Sequence, residues 1–274
     1  MTNFDPKTVA SFGDEWTRFD QNSISEQEAI KVFEEYFAVF PWLDLPEEAE
    51  GFDMGCGSGR WARLVAPKVG HLHCIDPSKA IEVAQANLAN FGNISFHRAT
   101  VESQCLPLAS QDFGYSLGVL HHVPDTQSAI CSCVDFLKPG APLLLYLYYD
   151  FDNRSWWYRA LWRLSDLCRR LVCKLPPFLK HSVTDAIALL VYLPLAVVSR
   201  ILERLGFNVA SIPISYYRKH SFYTMRTDAR DRFGTPLEHR FSKMQIFEMM
   251  DTAGLKGIKF SDVAPYWCAV GVKA

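Results

Sequence analysis

The sequence predicts an α/β protein built on a doubly wound, mostly parallel sheet, and two observations support this fold class. Between about residues 50 and 149, short apolar runs alternate with stretches of helical periodicity, which is typical of successive β–α units. The first apolar run ends in the turn Gly55-Cys56-Gly57-Ser58-Gly59, and helix-forming residues follow from Trp61. Ligands of such folds bind outside the carboxyl ends of the strands, so this turn is the first candidate site.

Residues 1–45, ahead of the first strand, are expected to form a helical lid. The motif Ser25-x-x-Glu28 has the spacing of a capping box and predicts the start of a helix. Two interpretations of the segment are open. Either its helix packs on the sheet, or Trp16, Arg18 and Phe19 close over a bound ligand.

The alternating segment, residues 46–150, is expected to form the core of the fold. We predict strands at residues 50–53, 72–75, 94–96, 112–119 and 143–147. Helices are expected at about residues 60–66, after Ser78 and after Pro124.

Asp53 stands two residues before the first glycine, where a carboxylate would repel a pyrophosphate but would suit a cationic amino-acid group. The motif Asp53-x-Gly55-x-Gly57-x-Gly59 resembles the first motif of the class I S-adenosylmethionine-dependent methyltransferases. Residues 110–125 resemble the fourth-strand motif of methyltransferases of type 11, and Leu137-Lys138-Pro139-Gly140 resembles the turn before their fifth strand. The resemblance covers about residues 50–150 strongly and 240–274 loosely.

The resemblance implies a Rossmann-like sheet of seven strands in which only the last strand is antiparallel. Residues 236–274 would then supply a helix at 242–253 and a closing hairpin formed by 256–263 and 266–272. The resemblance also implies S-adenosyl-L-methionine as the cofactor and S-adenosyl-L-homocysteine as its product.

The same resemblance implies a set of cofactor contacts at the strand ends. Asp76 would accept hydrogen bonds from both ribose hydroxyls, although beside Pro77 it also has the position of a helix N-cap. Related proteins often carry an acidic residue near the adenine, where this chain offers Thr100, Glu102 or the Val101 backbone N–H. The expected cofactor-binding residues are Asp53, Gly55, Cys56, Gly57, Gly59, Asp76, Pro77, Thr100, Val101 and Leu117.

Histidines are the candidate catalytic residues, because their pKa lies near neutrality. Of the adjacent His121 and His122 we prefer His122, since one side chain of such a pair should face the cleft. A scaffold role for the pair is the alternative, because the resembling family carries it whatever its substrate. His239 is the second predicted catalytic residue, and His220 or a tyrosine could also serve as a base.

Residues 151–235 form a helical and aromatic insertion, which we interpret as a substrate cap. Its first helix carries an apolar stripe at steps of three and four residues, formed by Trp157, Leu161, Leu164, Cys168, Leu171 and Leu175. A second apolar segment, 186–198, is interrupted by Pro194 and has too few residues to span a membrane. Open alternatives are a helical pair packed on itself, and a peripheral membrane contact or a homodimer through 151–205.

Composition narrows the function further. A net charge of −2 gives no support for nucleic-acid binding. The eight cysteines lack paired CxxC spacing, so we expect no metal and reduced thiols in a cytoplasmic protein. The N-terminus has no charged and apolar signal-peptide pattern.

Taken together, the residues and the resemblance predict an enzyme that moves a methyl group by direct displacement to an O, N or C nucleophile. The acceptor would be a small molecule, hydrophobic or aromatic: a specialised metabolite, an envelope precursor or a lipid-like compound such as a quinone head group. The alternative is a non-catalytic cofactor-binding module that recruits a partner or membrane through its insertion.

Overall fold

A computed structural model describes residues 3–21 and 23–274 of the chain. The chain divides into two compact units. The first contains the sheet and is formed by residues up to 21, by 29–150 and by 237–274. The second contains residues 151–236 together with the short segment that ends at Glu28.

The first unit is organised around a seven-stranded sheet of order β3-β2-β1-β4-β5-β7-β6. The strands are β1 Glu50–Met54, β2 His71–Ile75, β3 Ile94–His97, β4 Phe113–Leu117, β5 Pro142–Tyr146, β6 Leu255–Phe260 and β7 Cys268–Lys273. Six strands run in one direction, and β7 is antiparallel to both of its neighbours. The Rossmann-like fold class and the antiparallel last strand are therefore confirmed.

The sheet unit buries apolar side chains on both faces of the sheet. Its helices are α1 Pro6–Arg18, α2 Glu26–Tyr36, α3 Ala62–Val65, α4 Ala80–Asn87, α5 Thr126–Phe136 and α10 Lys243–Thr252. One cluster joins Phe52 and Leu143 to residues of α5 and α10, and the other joins Phe113 and Leu144 to residues of α2, α3 and α4. These clusters fix the strand ends that carry the candidate site.

The helix predicted from the Ser25-x-x-Glu28 motif forms, but only half of the capping box does. Ser25 Oγ accepts a hydrogen bond from the Glu28 backbone N at 3.2 Å. The Glu28 carboxylate instead accepts hydrogen bonds from Ser221 N at 3.0 Å and from Thr224 Oγ1 at 2.7 Å. The first N–H groups of an α-helix have no acceptor within that helix. The Glu28 carboxylate supplies an acceptor at the start of the helix Phe222–Gly234, which is far from it in sequence.

The second unit contains four helices in the part of the chain that the structure describes: α6 Trp156–Val172, α7 Pro177–Ile187, α8 Leu193–Arg204 and α9 Phe222–Gly234. It has its own small core, in which Val172, Ala188 and Tyr192 meet Met225 and Phe233.

Pro194 does not interrupt the second apolar segment as the sequence suggested. A π-helical turn, Ala188–Tyr192, joins α7 to α8 directly before Pro194, and this local change of the hydrogen-bond pattern accommodates the N–H that proline lacks. The result is one continuous helix, Pro177–Arg204, of 28 residues. By length and composition alone this helix could cross a membrane, so the length argument made from residues 186–198 was wrong.

Candidate functional site

The glycine turn after β1 has the backbone geometry that only glycine adopts without strain. Gly55, Gly57 and Gly59 have φ values of +81°, +55° and +78°. A Cβ on Gly55 would lie 2.4 Å from the Val119 side chain, and one on Gly59 would lie 2.6 Å from Leu88. The turn therefore presents bare backbone at the carboxyl end of β1.

Asp53 lies at the centre of this strand end and is 1% exposed. In the sheet register it stands between Cys74 of β2 and Tyr115 of β4. Its Oδ2 atom is buried and has no hydrogen-bond partner in the described residues. A buried carboxylate oxygen left in this state costs free energy that an incoming cationic donor would recover.

Burial raises the pKa of Asp53 to about 8. The Tyr115 hydroxyl and the Arg60 guanidinium oppose the rise, whereas the negative charge of Asp76 adds to it. At pH 7 the free carboxyl is therefore mostly protonated, and a positive charge placed beside it would lower its pKa and release the proton. An ammonium group fits this environment.

Asp76 follows β2 and accepts hydrogen bonds from protein donors with both of its oxygens. Oδ2 accepts from Gly57 N at 3.0 Å, and Oδ1 accepts from Ser78 N at 2.8 Å and from Ser78 Oγ at 2.6 Å. Burial raises its pKa, and these three hydrogen bonds oppose the rise. Since a carboxylate offers about four acceptor positions, roughly one remains for a ligand hydroxyl.

The residues predicted near the adenine are largely engaged within the protein. Thr100 N and Thr100 Oγ1 lie 3.2 and 3.0 Å from Ser103 Oγ. Glu102 Oε2 accepts a hydrogen bond from Asn3 N at 2.8 Å. Val101 is buried among the apolar residues beside α5, and Leu117 is buried in the last position of β4.

His122 lies in a short turn directly after β4, with its ring almost fully buried. Its Nδ1 is 2.7 Å from the Leu237 carbonyl oxygen. A carbonyl can only accept, so Nδ1 carries the proton and Nε2 is the basic nitrogen. The Phe12 ring meets the imidazole edge-on at a centroid distance of 4.9 Å.

His121 and His239 belong to the same neighbourhood. His239 N donates a hydrogen bond to the His121 carbonyl at 2.9 Å. The His121 ring stacks on Tyr148 with a centroid distance of 3.8 Å. Burial lowers the pKa of His121 well below its usual range, and His122, Arg240 and His239 lower it further. The His121 ring is therefore neutral at pH 7.

The structure adds tyrosines that the sequence analysis did not assign to the site, and it places Arg240 beside one of them. Tyr146 lies 5.0 Å from Tyr36 and 5.9 Å from Tyr148, measured between ring centroids. The Arg240 guanidinium carbon lies 5.0 Å from the Tyr148 ring centroid. Burial raises the pKa of Tyr146 well above its usual range, so this phenol is not a base. The alternation Tyr146-Leu147-Tyr148 was the available signal, because alternate residues of an extended chain share one side.

Three further features from the sequence analysis are Trp16, His220 and the expected absence of a metal site. Trp16 lies against the turn, because a Cβ added to Gly57 would be only 3.1 Å from the Trp16 Nε1 atom. His220 belongs to the second unit, where its Nδ1 is 3.3 Å from Glu28 Oε1. Within residues 3–21 and 23–274, no group of three or more His, Cys, Asp or Glu side chains is arranged to hold a metal ion.

The sequence is similar to known methyltransferases over part of its length. Residues 52–145 match the methyltransferase domain family. Over 120 residues the chain is 31% identical to the ubiquinone biosynthesis O-methyltransferase of Aromatoleum aromaticum, which covers 42% of this chain and 50% of that protein. Over 106 residues it is 34% identical to the protein of the same name from Hahella chejuensis, at 38% and 43% coverage. The chain thus matches about half the length of these curated relatives.

Solved structures share the fold. An O-methyltransferase family protein from Burkholderia thailandensis superimposes with a TM-score of 0.54 at 12% identity, over 96% of this chain and 58% of that one. A methyltransferase of Haloferax volcanii, solved with the Trm112 methyltransferase activator, gives a TM-score of 0.52 at 14% identity, over 95% and 96%. At such low identity these similarities show the fold alone.

Proposed function

This chain belongs to the class I S-adenosylmethionine-dependent methyltransferases, and from that premise we propose that it methylates an O, N or C nucleophile of a small molecule. The observation that carries the proposal is the buried Asp53 carboxylate beside three glycines of positive φ. That arrangement suits a ligand with a cationic amino-acid end and a body that approaches the backbone closely.

The cofactor-binding residues follow from this assignment. Asp53 would pair with the ammonium group of S-adenosylmethionine, and the turn from Gly55 to Gly59 would lie under the ligand. Asp76 would accept a hydrogen bond from one ribose hydroxyl at its remaining acceptor position. To accept from the second hydroxyl as well, Asp76 Oδ1 would exchange its hydrogen bond from Ser78 Oγ for one from the ribose. Cys56, Pro77, Leu117 and the Thr100–Val101 backbone remain proposed contacts. The bound cofactor supplies a methyl group on a sulfonium leaving group.

The protein's own contribution to the reaction is positioning and proton transfer. Holding the acceptor in line with the methyl group contributes up to about 7–11 kcal/mol in ideal cases. For a hydroxyl acceptor we propose that His122 Nε2 takes the proton, with Leu237 holding the tautomer through Nδ1. His239 would assist in orienting the acceptor, since its backbone is hydrogen-bonded to the turn that carries His122.

The acceptor we propose is hydrophobic or aromatic, and a phenolic, quinone-related compound is the leading case. The rings of Tyr36, Tyr146 and Tyr148 contact one another in series, and Tyr148 contacts His122. Flat aromatic acceptors stack on such rings. The relatives named for ubiquinone biosynthesis point to the same chemistry. We propose that the enzyme works in the cytoplasm, with residues 151–205 as its candidate membrane or homodimer contact.

The test is product formation. The protein would be incubated with S-adenosylmethionine and a panel of acceptors that includes a catechol, a catechol with an isoprenoid tail and an aliphatic amine. We expect S-adenosylhomocysteine and methylated product with the tailed catechol. Cofactor binding without turnover on any acceptor would instead favour a non-catalytic module.

A further inference from the structure

The exposed face of α6 is apolar, which is the reverse of the usual arrangement in a globular protein. Trp157, Leu161 and Leu164 are 40%, 47% and 61% exposed, and Leu171 is 70% exposed. They follow the stripe that the sequence analysis identified, and the neighbouring Trp156 and Leu167 are also exposed. Within α6 the stripe is therefore exposed, whereas Leu175, beyond the end of the helix, packs against the core of the second unit.

The inward side of α6 carries Val172, which joins the core of the second unit, and polar groups that anchor the helix. Arg169 is 9% exposed and donates through Nη1 to the carbonyl oxygens of Thr235 and Pro236, each at 3.0 Å. Arg169 Nε also donates to Asp166 at 2.7 Å, and Arg232 donates to Ser165 Oγ at 2.9 Å. These hydrogen bonds fix the rotation of α6 about its axis, so the leucines cannot turn inward without breaking them.

The helix Pro177–Arg204 also has an exposed apolar side. One side carries Thr184, Ala188, Tyr192 and Ala196 into the core of the second unit, where Tyr192 donates to Asp228 at 2.7 Å. The opposite side exposes apolar residues along its length, namely Phe178, Leu179, Leu189, Leu190, Val191, Val197, Val198 and Ile201. Its anchored side makes it a surface helix of this unit rather than a detached span.

The exposed charges on α6 and on Pro177–Arg204 have one sign, and the exposed Asp152 lies before α6 begins. The exposed side chains between residues 153 and 205, all of which the structure describes, include no acidic residue. They include the cations Arg159, Arg163, Arg170, Lys174, Arg200 and Arg204. The acidic residues of the segment, Asp166, Asp185 and Glu203, are partly buried and paired with arginines.

From these observations we infer that α6 and Pro177–Arg204 form a docking face for the surface of an anionic phospholipid bilayer. Exposed leucines and tryptophans would enter the headgroup and acyl boundary, and the flanking cations would meet lipid phosphates. A second copy of the chain fits less well, because a two-fold interface sets each patch against itself and would bring these cations together. The inference does not depend on which acceptor is methylated.

The experiment is vesicle flotation with the full chain and no acceptor present. We expect partition onto vesicles of three parts phosphatidylcholine to one part phosphatidylglycerol, and much weaker binding to phosphatidylcholine alone. Binding should fall at about 1 M salt, where the Debye length is about 3 Å. A blue shift of tryptophan emission should accompany binding, because Trp156 is 75% exposed in the protein alone.

Variants locate the face. Leu164→Glu/Leu167→Glu should lower the partition coefficient at least about tenfold, and Arg159→Gln/Arg163→Gln should lower it about fivefold for each cation removed. Leu43→Glu/Leu108→Glu is the matched control, since these leucines are 100% and 57% exposed but lie in the sheet unit. Unchanged hydrogen exchange within residues 151–236 shows that the second unit stays folded in each variant, and unchanged calorimetric affinity for S-adenosylhomocysteine shows the same for the sheet unit.

Three results would overturn the inference. The first is an absence of binding to either vesicle, and the second is an equal loss of binding in the control variant. The third is a homodimer in sedimentation equilibrium that Leu164→Glu/Leu167→Glu makes monomeric while the vesicles remain unbound, which would assign the face to a second copy.

Discussion

At the scale of single residues, the carboxyl of Asp53 is held in an environment that opposes its own ionisation. Burial raises its pKa to about 8, against an ordinary value of 3.8. Such a perturbed group beside an open backbone turn is typical of a functional site, where stability is given up for binding. The same shift determines how the ligand-free protein should respond to pH.

Asp53→Asn is predicted to stabilise the ligand-free protein. The unfolded chain loses the Asp53 proton near pH 4 and the folded chain only near pH 8, so ionisation favours the unfolded state throughout that interval. The gain in melting temperature should therefore be small at pH 4 and grow towards pH 8. Thermal unfolding at several pH values, without cofactor, measures it. Asp44→Asn, at an exposed position, is the control, and a gain independent of pH would contradict the assignment.

His122→Ala is predicted to lower kcat by about 10²–10⁴ for a hydroxyl acceptor while leaving cofactor affinity unchanged. The rise of kcat/KM with pH, which reports a base that must be neutral, should also disappear. Steady-state rates between pH 5 and 9 provide the measurement, with His97→Ala on β3 as the control. An unaltered pH profile would assign His122 to the scaffold alone.

At the scale of elements, the glycine turn and the two outward-facing helices illustrate what local sequence does and does not determine. Glycine spacing reflects a local backbone requirement, so Gly55, Gly57 and Gly59 could be identified before the fold was known. An apolar stripe shows that a helix is amphipathic, but not whether its apolar side meets a core, a partner or lipid. That choice depends on distant groups such as Thr235 and Pro236, which bind the buried Arg169.

Gly55→Ala should lower the free energy of unfolding more than Gly140→Ala does. Both glycines have similar φ values, +81° and +84°, and share a strain of about 1–2 kcal/mol in any L-residue. Only at Gly55 would the new Cβ meet another side chain, Val119 at 2.4 Å, while at Gly140 nothing lies within 4 Å. We expect a further loss of about 1–3 kcal/mol in the free energy of unfolding at Gly55, measured in urea, and weaker binding of S-adenosylhomocysteine. Equal losses at the two positions would show that the turn has room for a side chain.

The other element-scale differences have the same origin. Glu28 could be recognised as part of a capping motif, but its hydrogen bonds to Ser221 and Thr224 join residues far apart in sequence. Pro194 was expected to interrupt a helix because the π-helical turn before it has no recognised sequence signal. The doubly wound arrangement of the sheet and the ends of β1 and β2 were predictable, because alternation of strands and helices leaves few topologies.

At the scale of the whole molecule, the chain has a sheet unit with two apolar clusters and a second unit with its own core. Every residue proposed to bind the cofactor belongs to the sheet unit. The match to the methyltransferase domain family covers residues 52–145, in β1 to β5, whereas residues 151–236 lie outside it. Cofactor binding and the function of the second unit should therefore be separable by substitution.

Met225→Ala is predicted to loosen the second unit without affecting cofactor binding. Met225 is 2% exposed in the core of that unit, and truncating such a side chain costs about 2–5 kcal/mol. Hydrogen exchange should accelerate within residues 151–236 and remain unchanged in β1, β2 and β4, with an unaltered affinity for S-adenosylhomocysteine. Equal acceleration in the strands would mean that the two units unfold together.

The central claim, that Asp53 receives the cationic end of the cofactor, is tested most directly by counting protons on binding. Calorimetric titration with S-adenosylhomocysteine at pH 7, in buffers of different ionisation enthalpy, gives the number released. Because the free carboxyl has a pKa of about 8 and pairing with an ammonium lowers it, we predict release of close to one proton, and of none by Asp53→Asn. Tight binding without proton release, or an Asn variant that binds as well as the wild type, would contradict the account.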